Sequence, residues 1–351
     1  MNSDPDGRDL GTPLAAHQLD EIALADYLRQ HIAGFGHSCT VQQFRGGQSN
    51  PTFLLRTDSG SYVLRKKPPG KLLPSAHAID REFRVIRALD NSGVPVPAAL
   101  HLCEDETVIG QMFYVMNYVG GRVFSEIALP DCTPEGRTSA YLSAASVLSK
   151  LHTVNYRAVG LESFGKPDNY VARQLARWTK QYELSKTEEC SAMDELITWL
   201  SANEPQDNRS AIVHGDYRPG NLIFDNDDTT VAAVLDWELS TIGHPLADLG
   251  YFLLPYHLNE NLRGHSLRGI DLQELGIPTE QALLDAYSEN GPTVSNIEYY
   301  IAFSMFRLAA ILAGVLRRGI DGNASDPSAI QRGRAYSLFA ASALDVISGK
   351  S

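Results

Sequence analysis

Residues 212–224, Ile-Val-His-Gly-Asp-Tyr-Arg-Pro-Gly-Asn-Leu-Ile-Phe, followed at 234–238 by Val-Leu-Asp-Trp-Glu, decide how this chain is read. Short apolar runs on either side of a polar stretch predict two strands bracketing a loop. Asp216 and Asn221 stand five positions apart, and Asp236 arrives at the end of the next apolar strand. Pro219-Gly220 is turn-forming and lets the loop double back, so that Asp216 and Asn221 can converge on one small volume. A short carboxylate beside a hydroxyl can orient it and take its proton, a role that suits Asp216. Magnesium takes one or two carboxylate or amide oxygens and fills its octahedron with phosphate and water, and Asn221 and Asp236 can supply such oxygens. His214 is read as ordering the loop through hydrogen bonds. Each residue alone reads better as a turn, a cap or a strand end; the three together at this spacing are hard to obtain from packing alone. A metal hydrolase built from His214, Asp216, Asp236, His244 and Asp248 uses the same residue types but explains the Asn221 spacing less well.

Outward from this island the chain changes character twice. Residues 1–16 are expected to form a disordered tail, and Leu24, Tyr27, Leu28 and Ile32 then recur at helical steps until Gly34 and Gly36. Residues 52–57 and 61–65 flank Asp58-Ser59-Gly60 and predict a hairpin. A helix is expected over 78–90, with Ile79, Phe83, Ile86 and Leu89 on one face, and strands over 98–103 and 112–118. Val119-Gly120-Gly121 closes this strand-rich part, so an N-terminal lobe is expected over 17–118 and a larger, mainly helical lobe over 119–351. In the latter, Thr133 and Pro134 open a helix presenting Tyr141, Ala145, Leu148 and Leu151 or His152, with further helices near 170–184 and 191–202. The fold class expected is α+β, in two lobes.

Composition excludes several classes. With 21% charged and 43% apolar residues in 351, the chain has the make-up of a folded globular protein. A net charge of −12 disfavours a general nucleic-acid binder. Cys39, Cys103, Cys132 and Cys190 form no C-x-x-C pair and read as reduced thiols. The acidic, polar start lacks the features of a secretory signal, so a cytoplasmic location is expected. The apolar run 299–316 contains Arg307 and is followed by Arg317 and Arg318, which predicts a buried helix and no membrane association.

The spacing of Asp216 and Asn221 equals that between the aspartate and asparagine of the kinase loop H-R-D-x-x-x-x-N, and Asp236 stands like the aspartate of D-F-G. HGDYRPGN at 214–221 and LDWE at 235–238 resemble the aminoglycoside phosphotransferase-like kinases, a divergent branch of the protein-kinase fold. GGQSNPTFLL at 46–55, YVLRKKPPGKLLPSAHAIDREFRVI at 62–86, GKPDNY at 165–170 and LDWELSTIGHPLADLGY at 235–251 are most similar to one subgroup, the kinase-like domain joined to certain acyl-CoA dehydrogenases. The resemblance implies a bilobal kinase-like fold using ATP and Mg2+, with Asp216 as catalytic base and Asn221 and Asp236 as metal ligands. It further implies phosphate contacts from Gly46, Gly47, Ser49 and Asn50, and adenine contacts near Met116 and Tyr118. Where kinases place a phosphate-binding lysine this chain has Arg65, with Lys66 adjacent; Glu82 is the implied partner, its alternative being a solvated carboxylate on a helix face. Asp248 is expected to support the loop structurally, as a cap.

Known acceptors of the family are small hydroxylated molecules, among them aminoglycosides and choline. The subgroup resemblance points toward a hydroxylated acyl thioester, above all a 4-hydroxyacyl-CoA. Arg65, Lys66, Lys67 and Lys71 form a basic cluster that could meet nucleotide or CoA phosphates, or simply solubilise a turn. A non-catalytic nucleotide-binding protein is the rival reading, and the Arg65 departure is its best support.

Overall fold

The computed structural model describes residues 2–3, 8–45, 50–68, 78–262, 264–324 and 326–350. In chain order the strands are β1 (Asn2–Ser3), β2 (Asp9–Gly11), β3 (Cys39–Phe44), β4 (Thr52–Thr57), β5 (Ser61–Lys66), β6 (Ala99–Cys103), β7 (Phe113–Asn117), β8 (Ala211–Val213), β9 (Leu222–Phe224), β10 (Val231–Val234) and β11 (Thr241–Gly243). The helices are α1 (Glu21–His31), α2 (Ile79–Leu89), α3 (Pro134–Thr153), α4 (Tyr170–Ser185), α5 (Ser191–Ala202), α6 (Pro245–Phe252), α7 (Leu254–His257), α8 (Leu272–Leu275), α9 (Glu280–Ser288), α10 (Ile297–Ile320), α11 (Ala329–Gly333) and α12 (Tyr336–Ile347). Two compact units result: Met1–Val123 with Ala158–Leu161 and Asn221–Ser240, and Phe124–Arg157 with Glu162–Gly220 and Thr241–Ser351.

The first unit is built on a seven-stranded antiparallel sheet in the order β1-β2-β3-β4-β5-β7-β6. Side chains alternate across a strand, so Phe53, Leu55 and Leu64 share a face and join Leu24 and Leu28 of α1 in one core. Arg65 therefore points to the opposite face. The α2 helix buries Ile79, Glu82, Val85, Ile86 and Leu89. Phe83, expected on the buried face, is only half-buried, and Glu82 stands in the interior. The reason is the Arg65 guanidinium on the sheet, which pairs with the Glu82 carboxylate and which a reading of apolar periodicity does not count.

Two expectations about domain limits change. The tail expected over 1–16 contributes β2, which pairs Leu10 with Phe44 and Gly11 with Gln43; Leu10 is 3% exposed. Arg8 lies over the rings of Phe44 and Tyr118 and donates to the Val119 carbonyl at 3.0 Å. Three residues are too short a run to show a period, and only the open edge of β3 makes a strand of them. The boundary expected after 118 falls after Val123, and residues 221–240 rejoin the first unit. Arg122 and Phe224 exchange backbone hydrogen bonds at 2.8 Å each, and the Val234 N–H donates to Pro95 O at 2.9 Å. Gly121, at φ 128°, permits this: a Cβ there would lie 2.4 Å from Phe224 O.

The second unit is mainly helical, with β8 and β11 paired antiparallel as Ile212 with Ile242. Thr133 caps α3 by accepting from Gly136 N, and Pro134 stands at its first turn, so the predicted start is observed and the predicted face is buried. Central to this unit is α10, packed by α4, α6, α11 and α12. By length and composition it is the one helix among the described residues able to cross a membrane, but most of its apolar window is buried inside the unit. Gly250 lets α6 lie against it, since a Cβ there would come within 2.6 Å of the Tyr300 backbone.

Candidate active site

In the first unit, strand register decides between the two candidate cations. Arg65 lies opposite Tyr114 on β7 and faces α2; its Nε is 3.1 Å from Glu82 and its terminal nitrogen 2.6 Å from Asp236. Glu238 stands 4.0 Å from the same guanidinium. Lys66 points to the α1 face, is 3% exposed and lies over the Phe53 ring, and burial lowers its pKa. Arg65 and not Lys66 is thus the cation paired with Glu82. Burial opposes its charge, but Glu82, Tyr114 and Asp236 outweigh that and raise its pKa. Glu82 is 1% exposed, so the solvated-carboxylate alternative fails. Burial pushes Glu82 up to about 7; Arg65 opposes this, while Asp236 and Glu238 reinforce it.

Asn221 and Asp236 come together through the β9–β10 ladder. Leu222 pairs with Val234 and the Leu235 N–H donates to Asn221 O at 2.8 Å, which sets Asn221 and Asp236 beside each other at neighbouring strand ends. Asp236 adopts φ 62°, ψ 62°, a left-handed conformation costly for a residue with a Cβ and typical of functional positions. The donor set is oxygen, and three carboxylates around one guanidinium leave negative charge that a divalent cation would offset. These residues fit magnesium. Among the described residues no group of three His, Cys, Asp or Glu side chains could hold a metal ion, so phosphate oxygens would have to complete the shell.

In the second unit the loop after β8 is pinned from several sides. Asp248, buried in the first turn of α6, accepts from His214 N at 2.5 Å and Gly215 N at 2.8 Å. His152 of α3 approaches the same carboxylate through Nε2 at 3.4 Å, while its Nδ1 meets the Tyr287 hydroxyl at 2.7 Å. These partners assign the tautomer with hydrogen on Nε2. Burial would raise the Asp248 pKa, but the bonds from His152 and the loop outweigh it and hold the group below the ordinary carboxylate value. The expected cap role belongs to His244, which accepts from Leu246 N; Asp248 instead holds the loop backbone. The Asp216 N–H donates to His214 Nδ1 at 3.2 Å, the ordering role expected of that histidine. Asp216 itself stays partly exposed, with Tyr251 Oη 2.5 Å from one carboxylate oxygen and Arg218 Nε 3.4 Å from the other. His244 is engaged with Asp207 at 3.2 Å and Tyr300 at 3.2 Å, so the hydrolase set is not assembled.

Other expected contacts are distributed as follows. Gly46, Gly47, Ser49 and Lys71 lie outside the described residues. Asn50 is buried just before β4. Met116 is a core residue of β7 opposite Val63. Tyr118 uses its N–H on Ser61 O at 3.3 Å, and its ring is covered by Arg8 at 4.6 Å. Glu238, His152, Tyr251 and Arg307 were not among the site residues expected from sequence. For Glu238 a signal existed, since it lies two residues beyond Asp236 in the quoted stretch; the others act from distant helices.

A β-rich unit carrying an Arg–Glu–Asp ion cluster and a helical unit carrying an aspartate on a clamped loop define a kinase-like phosphotransferase class. The chain matches the model of the phosphotransferase enzyme family over residues 40–287 and belongs to that family. It is 46% identical over 308 residues to acyl-CoA dehydrogenase family member 10 of Mus musculus, covering 86% of this chain and 29% of that protein. It is 44% identical to acyl-CoA dehydrogenase family member 11 of Rattus norvegicus, covering 91% of this chain and 42% of that protein. The chain therefore spans well under half the length of these relatives. A Ralstonia eutropha crystal structure provisionally described as an aminoglycoside phosphotransferase matches with TM-score 0.86 and 43% identity, covering 95% of this chain and 99% of that one. Spectinomycin phosphotransferase in complex with ADP and spectinomycin, at TM-score 0.62 and 12% identity over 94% of this chain and 98% of that one, shares the fold. The protein-kinase-like α+β fold expected from the sequence is thus the fold of this chain.

Proposed function

We propose that this protein is an ATP- and magnesium-dependent kinase that phosphorylates a hydroxyl of a small molecule, with a 4-hydroxyacyl-CoA as the leading acceptor. The observation that carries this reading is Arg65 placed between Glu82 at 3.1 Å and Asp236 at 2.6 Å, which parallels the cation–glutamate pair and nearby metal-binding aspartate that protein kinases use. Arg65 offers a permanent charge and a planar fork to nucleotide phosphates. Magnesium held by Asn221 and Asp236 would neutralise charge on the transferring phosphoryl group. Asp216 orients the acceptor hydroxyl and takes its proton, and the clamp on residues 214–215 keeps that carboxylate from wandering.

The acceptor class is supported by two relatives whose names include acyl-CoA dehydrogenase. The basic cluster at 65–71 supports it less than the sequence suggested, because Arg65 is enclosed by carboxylates and Lys66 is buried. An aminoglycoside or choline-type acceptor is the second reading, favoured by the description of the Ralstonia structure. The four cysteines are free thiols, as a proposed cytoplasmic location would require.

The test is an ADP-release screen over 4-hydroxyacyl-CoA thioesters, aminoglycosides and choline with MgATP. Asp216→Asn should lower turnover by about 10²- to 10⁴-fold, the range of a general base, with nucleotide binding retained. Retained turnover in that variant would remove Asp216 from the reaction. MgATP binding without ADP release for any acceptor would favour the non-catalytic rival.

A further inference from the structure

We propose that Arg307 and Arg318 of α10, with Arg173 and Arg177 of α4, form an anion track that receives the phosphate-bearing handle of a CoA thioester and so brings its acyl hydroxyl to Asp216. The inference rests on the phosphotransferase reading above and deepens it by naming the residues that select a polyanionic acceptor. The chain carries a net charge of −12, yet α4 holds Arg173, Arg177 and Lys180 with no acidic residue over 170–182. Likewise α10 holds Arg307, Arg317 and Arg318 with none over 299–320. The two helices pack on each other and run in the same direction. Tyr170, the first residue of α4, is raised in pKa by burial, which the fields of Arg307, Arg173 and Arg177 together oppose. Further along, a Cβ at Gly314 would lie 3.5 Å from the Arg318 guanidinium and 3.6 Å from the Gln181 amide. Arg318 stands three turns beyond Arg307 on the same side of α10, about 16 Å along the axis, and Arg173 and Arg177 repeat at helical spacing.

Their charge is not cancelled within the protein. Arg209, Arg218 and Arg317 pair with Asp207, Asp216 and Asp321, whereas among the described residues no carboxylate lies within 4.0 Å of Arg173, Arg177, Arg307 or Arg318. Arg173 donates to Lys166 O at 2.6 Å, and Arg177 lies 5.1 Å from the centre of the Trp178 ring, contacts that hold the side chains and leave their charge in place. Arg307 is half-buried, and its Nε is sealed from water without a hydrogen-bond partner. A sequestered cation without a carboxylate is costly, and a bound anion relieves it. The same guanidinium donates to the carbonyl of Gly215, the residue before Asp216. The track therefore starts at the loop that carries Asp216 and leads outward to the exposed Arg177 and Arg318. A cationic aminoglycoside or choline would be repelled along it. A single carboxylate would need one arginine, whereas several phosphates set apart from the reacting hydroxyl match a row of them, each able to grip phosphate oxygens with two N–H groups. CoA thioesters have that layout, with the hydroxyl on the acyl end and the phosphates on the other.

The test uses the full chain as wild type, Arg177→Ala, Arg318→Ala and Arg177→Lys; both arginines are exposed, so the variants are expected to fold. With MgATP, wild type should favour a 4-hydroxyacyl-CoA over the matching pantetheine thioester, which lacks the nucleotide handle, by about 10-fold or more in kcat/KM. Each alanine variant should cut that preference by about 3- to 10-fold, and the lysine variant by less, because charge is kept while the planar fork is lost. Added salt should shrink the preference. Equal kcat/KM for the two thioesters in wild type, or a preference unchanged in both alanine variants, overturns the inference. Calorimetry with 3′-phospho-ADP, with Mg-ADP present to fill the nucleotide site, needs no turnover. Saturable binding that weakens by about 3- to 10-fold in the alanine variants supports the track. No binding, or equal affinity in all four proteins, overturns it. Where the handle binds as expected and no thioester yields ADP, the phosphotransfer reading falls and the track stands.

Discussion

Around Arg65 three carboxylates face one guanidinium, and Asp236 remains 32% exposed at its side chain. Around Asp248 one carboxylate is met by two backbone N–H groups and an imidazole, all sealed from water. The first arrangement carries surplus negative charge and is suited to take up a cation with its phosphates. The second is satisfied by the protein alone and is suited to hold a loop still. The proposed roles of binding and positioning thus fall to chemically opposite devices, one short of positive charge and one internally complete.

The contrast breaks first at Asp248. Asp248→Ala leaves the loop N–H groups and His152 without their acceptor, and unfolding should become easier by about 3–5 kcal/mol, read from denaturant midpoints. A variant as stable as wild type would show that the clamp is not needed. In the charged cluster the effect should appear only with ligand. MgATP at about 100 times Kd should stabilise wild type by about 2.7 kcal/mol, and Asp236→Ala should lose most of that protection while changing little without nucleotide. Equal protection by MgATP in both proteins would remove Asp236 from the metal site.

A smaller signature lies in pH. Glu82, at about 7 in the folded protein against an ordinary 4.5, holds a proton across that window that the unfolded chain has lost. Its contribution to stability therefore falls as pH rises from about 4.5 to 7, by up to about 1.4 kcal/mol per pH unit. His244, lowered to about 4 mainly by burial, acts with the opposite sign between its ordinary 6.5 and 4, losing stability as pH falls. The measurement is thus the wild-type curve minus that of Glu82→Gln, and a flat difference would refute the assignment. The smallest effect belongs to Lys67→Ala, which should leave affinity for MgATP and CoA thioesters within about 0.5 kcal/mol. A large loss of thioester affinity would restore the basic cluster as a phosphate site.

Much of both regions was legible in one dimension. Asp216, Asn221 and Asp236 stood out because their spacing lies within a short segment, and the β4–β5 hairpin and α3 followed from local turn and cap chemistry. Glu82 was named as a partner, but its depth was not, because a carboxylate interrupts the apolar stripe by which a buried helix face is recognised. Asp248 was seen as supportive, yet which groups it supports depends on a contact across 34 residues. The reach from Tyr251 to Asp216 spans 35 residues, and that from Arg307 to Gly215 spans 92.

By itself the sequence determined the family and the two-part α+β character of the fold, and it singled out Asp216, Asn221 and Asp236 as candidates, because spacing, periodicity and turn chemistry are short-range properties. Tertiary structure alone decided that Arg65 and not Lys66 meets Glu82, that a three-residue N-terminal run becomes a strand, and that the Asp216 loop is held from α3, α6 and α10. Neighbouring strand residues face opposite sides whatever their identity, and which side carries the partner helix is known only once distant segments have packed.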